Sequence, residues 1–105
     1  MSLRAPIAVP VEIRSPRGRL YRLAWAIGED GIRLERAAAF ERGRPVEVRF
    51  ALPDGEALAL RAEIGDDEDD PDHDERSREL TFIDPPEEAR VAINHYVKVR
   101  LELPA

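Results

Sequence analysis

Val46-Glu47-Val48-Arg49-Phe50-Ala51-Leu52-Pro53-Asp54-Gly55-Glu56-Ala57-Leu58-Ala59-Leu60-Arg61-Ala62-Glu63-Ile64 is the stretch on which the fold turns. Its apolar side chains fall on every second residue, at Val46, Val48, Phe50 and Leu52 and again at Leu58, Leu60, Ala62 and Ile64. A period of two marks a strand with one buried face, and Pro-Asp-Gly between two such runs marks a hairpin turn. The same period recurs upstream. Val9, Val11 and Ile13 alternate with Pro10 and Glu12, and Ser15-Pro16-Arg17-Gly18 supplies a tight turn. Leu23, Trp25 and Ile27 alternate next, and Gly28-Glu29-Asp30-Gly31 leads into Ile32 and Leu34. Ala37 to Arg44 breaks the pattern, and Glu79-Leu80-Thr81-Phe82-Ile83 reads as a last strand. Short alternating strands punctuated by turns predict an all-β fold, a small antiparallel barrel or sandwich.

The period changes after Ile83. Asp84-Pro85-Pro86-Glu87 has the form of a helix start, with Asp84 as N-cap and Glu87 completing a capping box. Ala89, Ala92, Ile93, Tyr96 and Val97 then form one apolar stripe at helical spacing, which predicts a C-terminal helix over 85–100. Val97, Val99, Leu101 and Leu103 also alternate as a strand would, so the end of the chain admits two readings, of which the helix is preferred.

Length and charge narrow the function classes. The 105 residues suit a single domain, 1–105, without repeats. A formal net charge of -6 argues against general nucleic-acid or anionic-membrane binding, which needs a positive field. Without cysteine there are no disulfides, thiolate metal sites or cysteine nucleophiles. No run of 18 apolar residues exists, so no membrane insertion is expected; the prolines and arginines of the first 20 residues leave no signal-peptide apolar region. The expected setting is the cytoplasm. The charge is polarised: residues 1–50 hold ten arginines and six acids, residues 51–105 six basic and sixteen acidic side chains. Within the second half, 66–76 is expected to be a solvated acidic loop, with eight carboxylates between Asp66 and Glu75. As a calcium loop it fails, because Pro71 stands where glycine is required and Ser77 where the closing glutamate belongs.

Catalytic constellations are wanting. Ser2, Ser15 and Ser77 lie in no G-x-S-x-G elbow, and the six glycines form neither a G-x-G-x-x-G nor a Walker loop. His73 sits among the carboxylates and His95 beside Tyr96, too unrelated to make a zinc site or an acid–base pair. No enzymatic activity, metal or cofactor is expected.

The order of elements resembles a PilZ domain, the six-stranded antiparallel β-barrel with one C-terminal α-helix found in bacterial cyclic di-GMP signalling. The likeness runs from about Arg4 to Leu103. It rests on Val9-Pro10-Val11, on Ala26-Ile27-Gly28-Glu29-Asp30-Gly31-Ile32-Arg33-Leu34, on Gly43 with the long middle hairpin, and on Leu80-Thr81-Phe82-Ile83-Asp84 followed by Ile93-Asn94-His95-Tyr96-Val97. Ligand-binding members of that family carry R-x-x-x-R before the first strand and [D/N]-x-S-x-x-G after the second. Here the first signature falls on Arg4-Ala5-Pro6-Ile7-Ala8 and keeps only Arg4; no two arginines in the chain are four apart. The second falls on Ala26 to Gly31 and keeps only Gly31.

The resemblance therefore implies a degenerate PilZ-like adaptor for a protein partner in motility, pilus or polarity control, with cyclic di-GMP not expected as its ligand. Its candidate contacts are Phe40, Trp25 and Tyr96, with Tyr21 as a further aromatic; Phe40 stands out in the apolar run Ala37-Ala38-Ala39-Phe40. Two alternatives stay open. One is a cyclic di-GMP receptor built from Arg4, Arg14, Arg17 and Arg19; the other is a structural oligomerisation module that uses the closing helix, a homodimer being one such assembly.

Overall fold

The computed structural model describes residues 3–36, 44–64 and 76–102. Seven strands and one helix follow one another: β1 (Ala5–Pro6), β2 (Pro10–Ser15), β3 (Gly18–Gly28), β4 (Gly31–Glu35), β5 (Val46–Ala51), β6 (Ala57–Ile64), β7 (Ser77–Phe82) and α1 (Glu87–Arg100). The strands pair in the order β1-β3-β2-β5-β6-β7-β4, and β4 returns to pair with β3. Six strands thus close a ring of antiparallel pairings, a barrel with one extra short strand. The short β1 sits on the same edge of β3 as β2: Ala5 faces Ile27, while Pro10 faces Leu23.

Alternation builds the barrel as the sequence predicts. Val11 and Ile13, Val48 and Phe50, and Leu60, Ala62 and Ile64 all point into one core, joined by Ile32, Leu34 and Leu80. Each of these side chains larger than alanine, fully removed from water, contributes roughly 1.5–3 kcal/mol before chain entropy is subtracted. The Pro53-Asp54-Gly55 turn closes with the Gly55 N–H donating to the Leu52 carbonyl at 2.8 Å.

One strand changes phase. Ala24 is buried and Leu23 is exposed, whereas the alternation of Leu23, Trp25 and Ile27 predicted a common face. The β3–β4 register slips between Ala24 and Ala26, so Trp25 is the extra residue of a bulge. Inward residues are even-numbered before it and odd-numbered after it, which is how Ala24 and Ile27 share the core.

The helix starts later than expected. Its N-cap is Pro86, with no side-chain capping bond, so Pro85 and Pro86 lie outside it. Pro85 precedes Pro86 and is thereby pushed away from helical geometry, and Pro86 itself is extended, with ψ 148°. Asp84 instead takes a left-handed turn at φ 44°, and the predicted capping box does not form. Past Val97 the helical reading holds to Arg100, followed by a turn at Leu101 and Glu102. Ala89, Ile93, Tyr96 and Val97 are its buried residues, as the stripe predicted.

Candidate functional site

Arginines define two surfaces of the barrel. The first surrounds the Gly28–Gly31 turn between β3 and β4. Arg4, just ahead of β1, lies across that turn: a β-carbon on Gly28 would fall 3.0 Å from its side chain, and one on Gly31 would fall 3.3 Å from its Nη2. Gly31 also packs so closely on β7 that a β-carbon would stand 2.5 Å from the Leu80 carbonyl oxygen. The turn keeps glycine at both positions because there is room for nothing larger.

Over this turn the Arg4 guanidinium is held by two carboxylates. Its Nη2 donates to Asp30 at 3.1 Å, and its Nη1 pairs with Glu79 of β7. Glu79 sits opposite Arg33 in the β4–β7 register, so its carboxylate lies between two arginines. Burial nevertheless raises its pKa above the ordinary 4.5, outweighing the lowering by Arg4 and Arg33. From the helix side, the Tyr96 hydroxyl donates to the Pro6 carbonyl at 2.7 Å. The segment carrying Arg4 is therefore pinned by strand pairing, by ion pairs and by the helix.

The second surface is the outer face of β3, β2, β5 and β6. Its cross-strand register aligns Arg19, Arg14, Glu47 and Arg61 in one row. Two residues further along each strand, Tyr21, Glu12, Arg49 and Ala59 form a second row. Beyond that come the pairs Leu23 with Pro10 and Ala51 with Ala57. Leu23 is 41% and Tyr21 59% exposed. The Tyr21 hydroxyl donates to Glu12 at 2.8 Å, and Glu12 also accepts from Arg14. These bonds hold the Glu12 carboxyl below its ordinary pKa, and the same bond raises that of the Tyr21 phenol.

The four arginines of the receptor alternative are not brought together. Arg4 lies against the Gly28 end of β3, whereas Arg17 and Arg19 lie at the Gly18 end. Eleven residues of strand place those ends on the order of 30 Å apart. Arg14 does join Arg19, as its cross-strand neighbour. Of the aromatics, Tyr96 is buried at 9% exposure, so it serves the core and offers a partner little surface. Trp25 is half-buried, with the Arg76 guanidinium 5.6 Å above its ring. Phe40 and the acidic run at 66–75 lie outside the described residues. Among the described residues, Tyr21 is the aromatic that stands exposed.

Sequence reasoning missed Glu79. Its role depends on β7 closing onto β4, a contact between residues more than 40 apart that no local pattern announces.

Among the described residues no group of three His, Asp or Glu side chains could hold a metal ion, and no helix is long and apolar enough to cross a membrane. No protein-family model matches the chain, and no curated protein matches it. Solved structures do. The chain is similar to the Bacillus subtilis inhibitor of motility MotI/DgrA, with a TM-score of 0.79 and 19% identity, over 97% of this chain and 50% of that one. It is also similar to the PilZ domain of CeSA from a cellulose-synthesizing bacterium, with a TM-score of 0.65 and 18% identity, over 96% and 97% of the two chains. The chain thus spans half the length of the first and nearly all of the second. At such identity the likeness speaks for architecture alone, and that architecture agrees with the closed barrel and closing helix described above: the chain folds as a PilZ-like domain.

Proposed function

We propose that this PilZ-like domain is a non-enzymatic bacterial regulator that works through protein contact in the cytoplasm and does not read cyclic di-GMP. The observation that carries the reading is the state of Arg4, the one arginine left of the family's phosphate-gripping pair. Its guanidinium is engaged by Asp30 and Glu79. A phosphate would have to displace both carboxylates and leave the partly buried Glu79 without that partner, a cost of about 1–3 kcal/mol set against binding. The second signature adds no compensation, since Ala26 and Gly28 stand where its polar side chains belong. Control of motility is the process assigned first, by analogy with the neighbour named as an inhibitor of motility; pilus function and polarity are its relatives in the family.

The test is a calorimetric titration of the domain with cyclic di-GMP at low and moderate salt. No saturable heat is expected up to high ligand concentration. Saturable binding near ~1 μM would overturn the reading and direct attention to Arg4, through Arg4→Ala.

A further inference from the structure

We infer that the outer face of β2, β3, β5 and β6 is the partner-binding surface of this domain, and that its occupant is an acidic amphipathic helix of a partner protein. The inference deepens the adaptor reading and rests on it. Three observations carry it, and each restricts the occupant in a different way.

Composition is the first. Outward positions on a water-facing antiparallel strand are normally polar. Here Ala51, Ala57, Ala59, Pro10 and Leu23 are all exposed on adjoining strands. Alanine is a poor strand former, so propensity does not account for three of them. Small side chains lower the floor beside Tyr21, and a shallow groove runs over Pro10, Tyr21, Ala57 and Ala59, bordered by Glu12 and Arg49. Tyr21 is held by its bond to Glu12, which makes it an aromatic anchor with little freedom left to lose on binding.

Charge is the second. The two rows beside this apolar strip carry Arg14, Arg19, Arg49 and Arg61 against Glu12 and Glu47. Arg14 is paired with Glu12 and Arg49 with Glu47, so the excess positive charge of the face rests with Arg19 and Arg61, which suits a partner with a short acidic flank. A nucleic acid or an anionic bilayer carries its charge over a far wider area than a single helix and would meet the acidic remainder of a chain of net charge -6 as well as these two arginines.

Topology is the third. In the middle of the face β2 and β5 are paired on both sides, Glu12 to Arg14 with β3 and with Glu47 to Arg49, and Glu47 to Arg49 with β6. A strand could be added only at the outer edges of β3 before Ala24 and of β6 before Ala62, where it would lie beside the groove; a partner that covers the groove must dock side chains onto it, and of the common peptide-recognition modes that is a helix laid in a groove. The dimensions agree. Four strands span about 14 Å and three rows about 13 Å, which seats a helix about 10–12 Å wide running across the strands. Its apolar stripe would cover the alanines, Leu23 and Tyr21 while its acidic flank reached Arg19 and Arg61.

The probe is a fluorescent synthetic helix of about 18 residues, with leucine on one stripe and glutamate flanking it. Anisotropy should show saturable binding that weakens several-fold in high salt, and the lysine-for-glutamate version should not bind. In 15N-labelled domain, shifts should concentrate on β2, β3, β5 and β6. Arg19→Glu with Arg61→Glu should weaken binding by roughly tenfold or more, and so should Ala59→Glu, with unchanged circular dichroism in each case. Absence of binding at about 1 mM peptide, shifts confined to another surface, or stronger binding of duplex DNA or anionic vesicles through the same arginines would each overturn the inference. The two readings fail separately. Cyclic di-GMP binding beside peptide binding would remove the nucleotide-independent adaptor and leave the face standing. Silence toward both would remove the face and leave the adaptor.

Discussion

Arg4 and Arg61 are both arginines at the surface of one barrel, yet their surroundings differ completely. Around the Gly28–Gly31 turn, guanidinium and carboxylate are matched and partly buried, and the turn is packed so tightly that only glycine fits. On the β2/β3/β5/β6 face, arginines outnumber carboxylates and alternate with small apolar residues open to water. The comparison shows that an arginine count says little about ligand binding until each cation's carboxylates have been located. The first region uses its charge to hold the barrel shut; the second pairs Arg14 with Glu12 and Arg49 with Glu47 and presents Arg19 and Arg61 outward.

The largest effect that would break the first region comes from Gly31→Ala. With a β-carbon 2.5 Å from the Leu80 carbonyl, β4 and β7 must separate, and a loss of at least about 2 kcal/mol is expected. Thermal unfolding should report a Tm lower by on the order of 10 °C. An unchanged Tm would mean that the seam is looser than described.

Arg4→Ala comes next, at about 1–3 kcal/mol near neutral pH, because it leaves the partly buried Glu79 carboxylate without that partner. The pH dependence has a definite sign. Burial places the folded-state pKa of Glu79 above its ordinary 4.5, so the native state loses stability as pH rises from 4.5 through that value and regains it on acidification. Without Arg4 the rise is larger. The deficit of Arg4→Ala should therefore be greatest near pH 7 and shrink as pH falls toward 4.5, and adding Glu79→Gln should recover part of it. A deficit independent of pH would show that the ion pair is not what holds Arg4 in place.

The second region should tolerate what the first does not. Arg61→Ala is expected to stay within about 0.5 kcal/mol of the parent in denaturant unfolding, since Arg61 is exposed on its strand. A loss comparable to that of Arg4→Ala would erase the contrast. Smallest of all is Glu12→Gln: melting should hardly move, but the Tyr21 phenol, raised by its bond to Glu12, should titrate closer to its ordinary value of 10.0. Ultraviolet titration of the variant against a Tyr21→Phe control isolates that group. Glu12 itself works with the opposite sign to Glu79, contributing stability above 4.5 that is lost as pH falls through its lowered folded value.

How far the sequence could be read follows from which forces are local. The alternation from Val46 to Ile64 and the stripe from Ala89 to Val97 are set by burial of one face, and both reappear in the core. Leu23 was misplaced because the bulge at Trp25 belongs to the pairing of two strands and not to either alone. The capping box from Asp84 to Glu87 failed because two prolines outvoted a good capping residue. The candidate site was the least legible part. Arg4 could be singled out by family likeness, but its partner Glu79 is 75 residues away. The rows that put Arg14 beside Arg19 and Arg61 across from Glu47 exist only once four strands are in register.

Closure of the ring carries a consequence for how the chain reaches its native state. The hairpins β2–β3 and β5–β6 can zip within a few residues of their turns, but the seam that completes the barrel joins Gly31 to Thr81. A nascent chain leaving the ribosome could form both hairpins while β4 waits with an unsatisfied edge until β7 emerges. The delay costs loop-closure entropy and exposes a ready strand to its neighbours. Of the non-local pairings this seam spans more chain than the joining of β2 to β5, so refolding is expected to be limited by it, and substitutions along β4 and β7 should slow folding more than they speed unfolding.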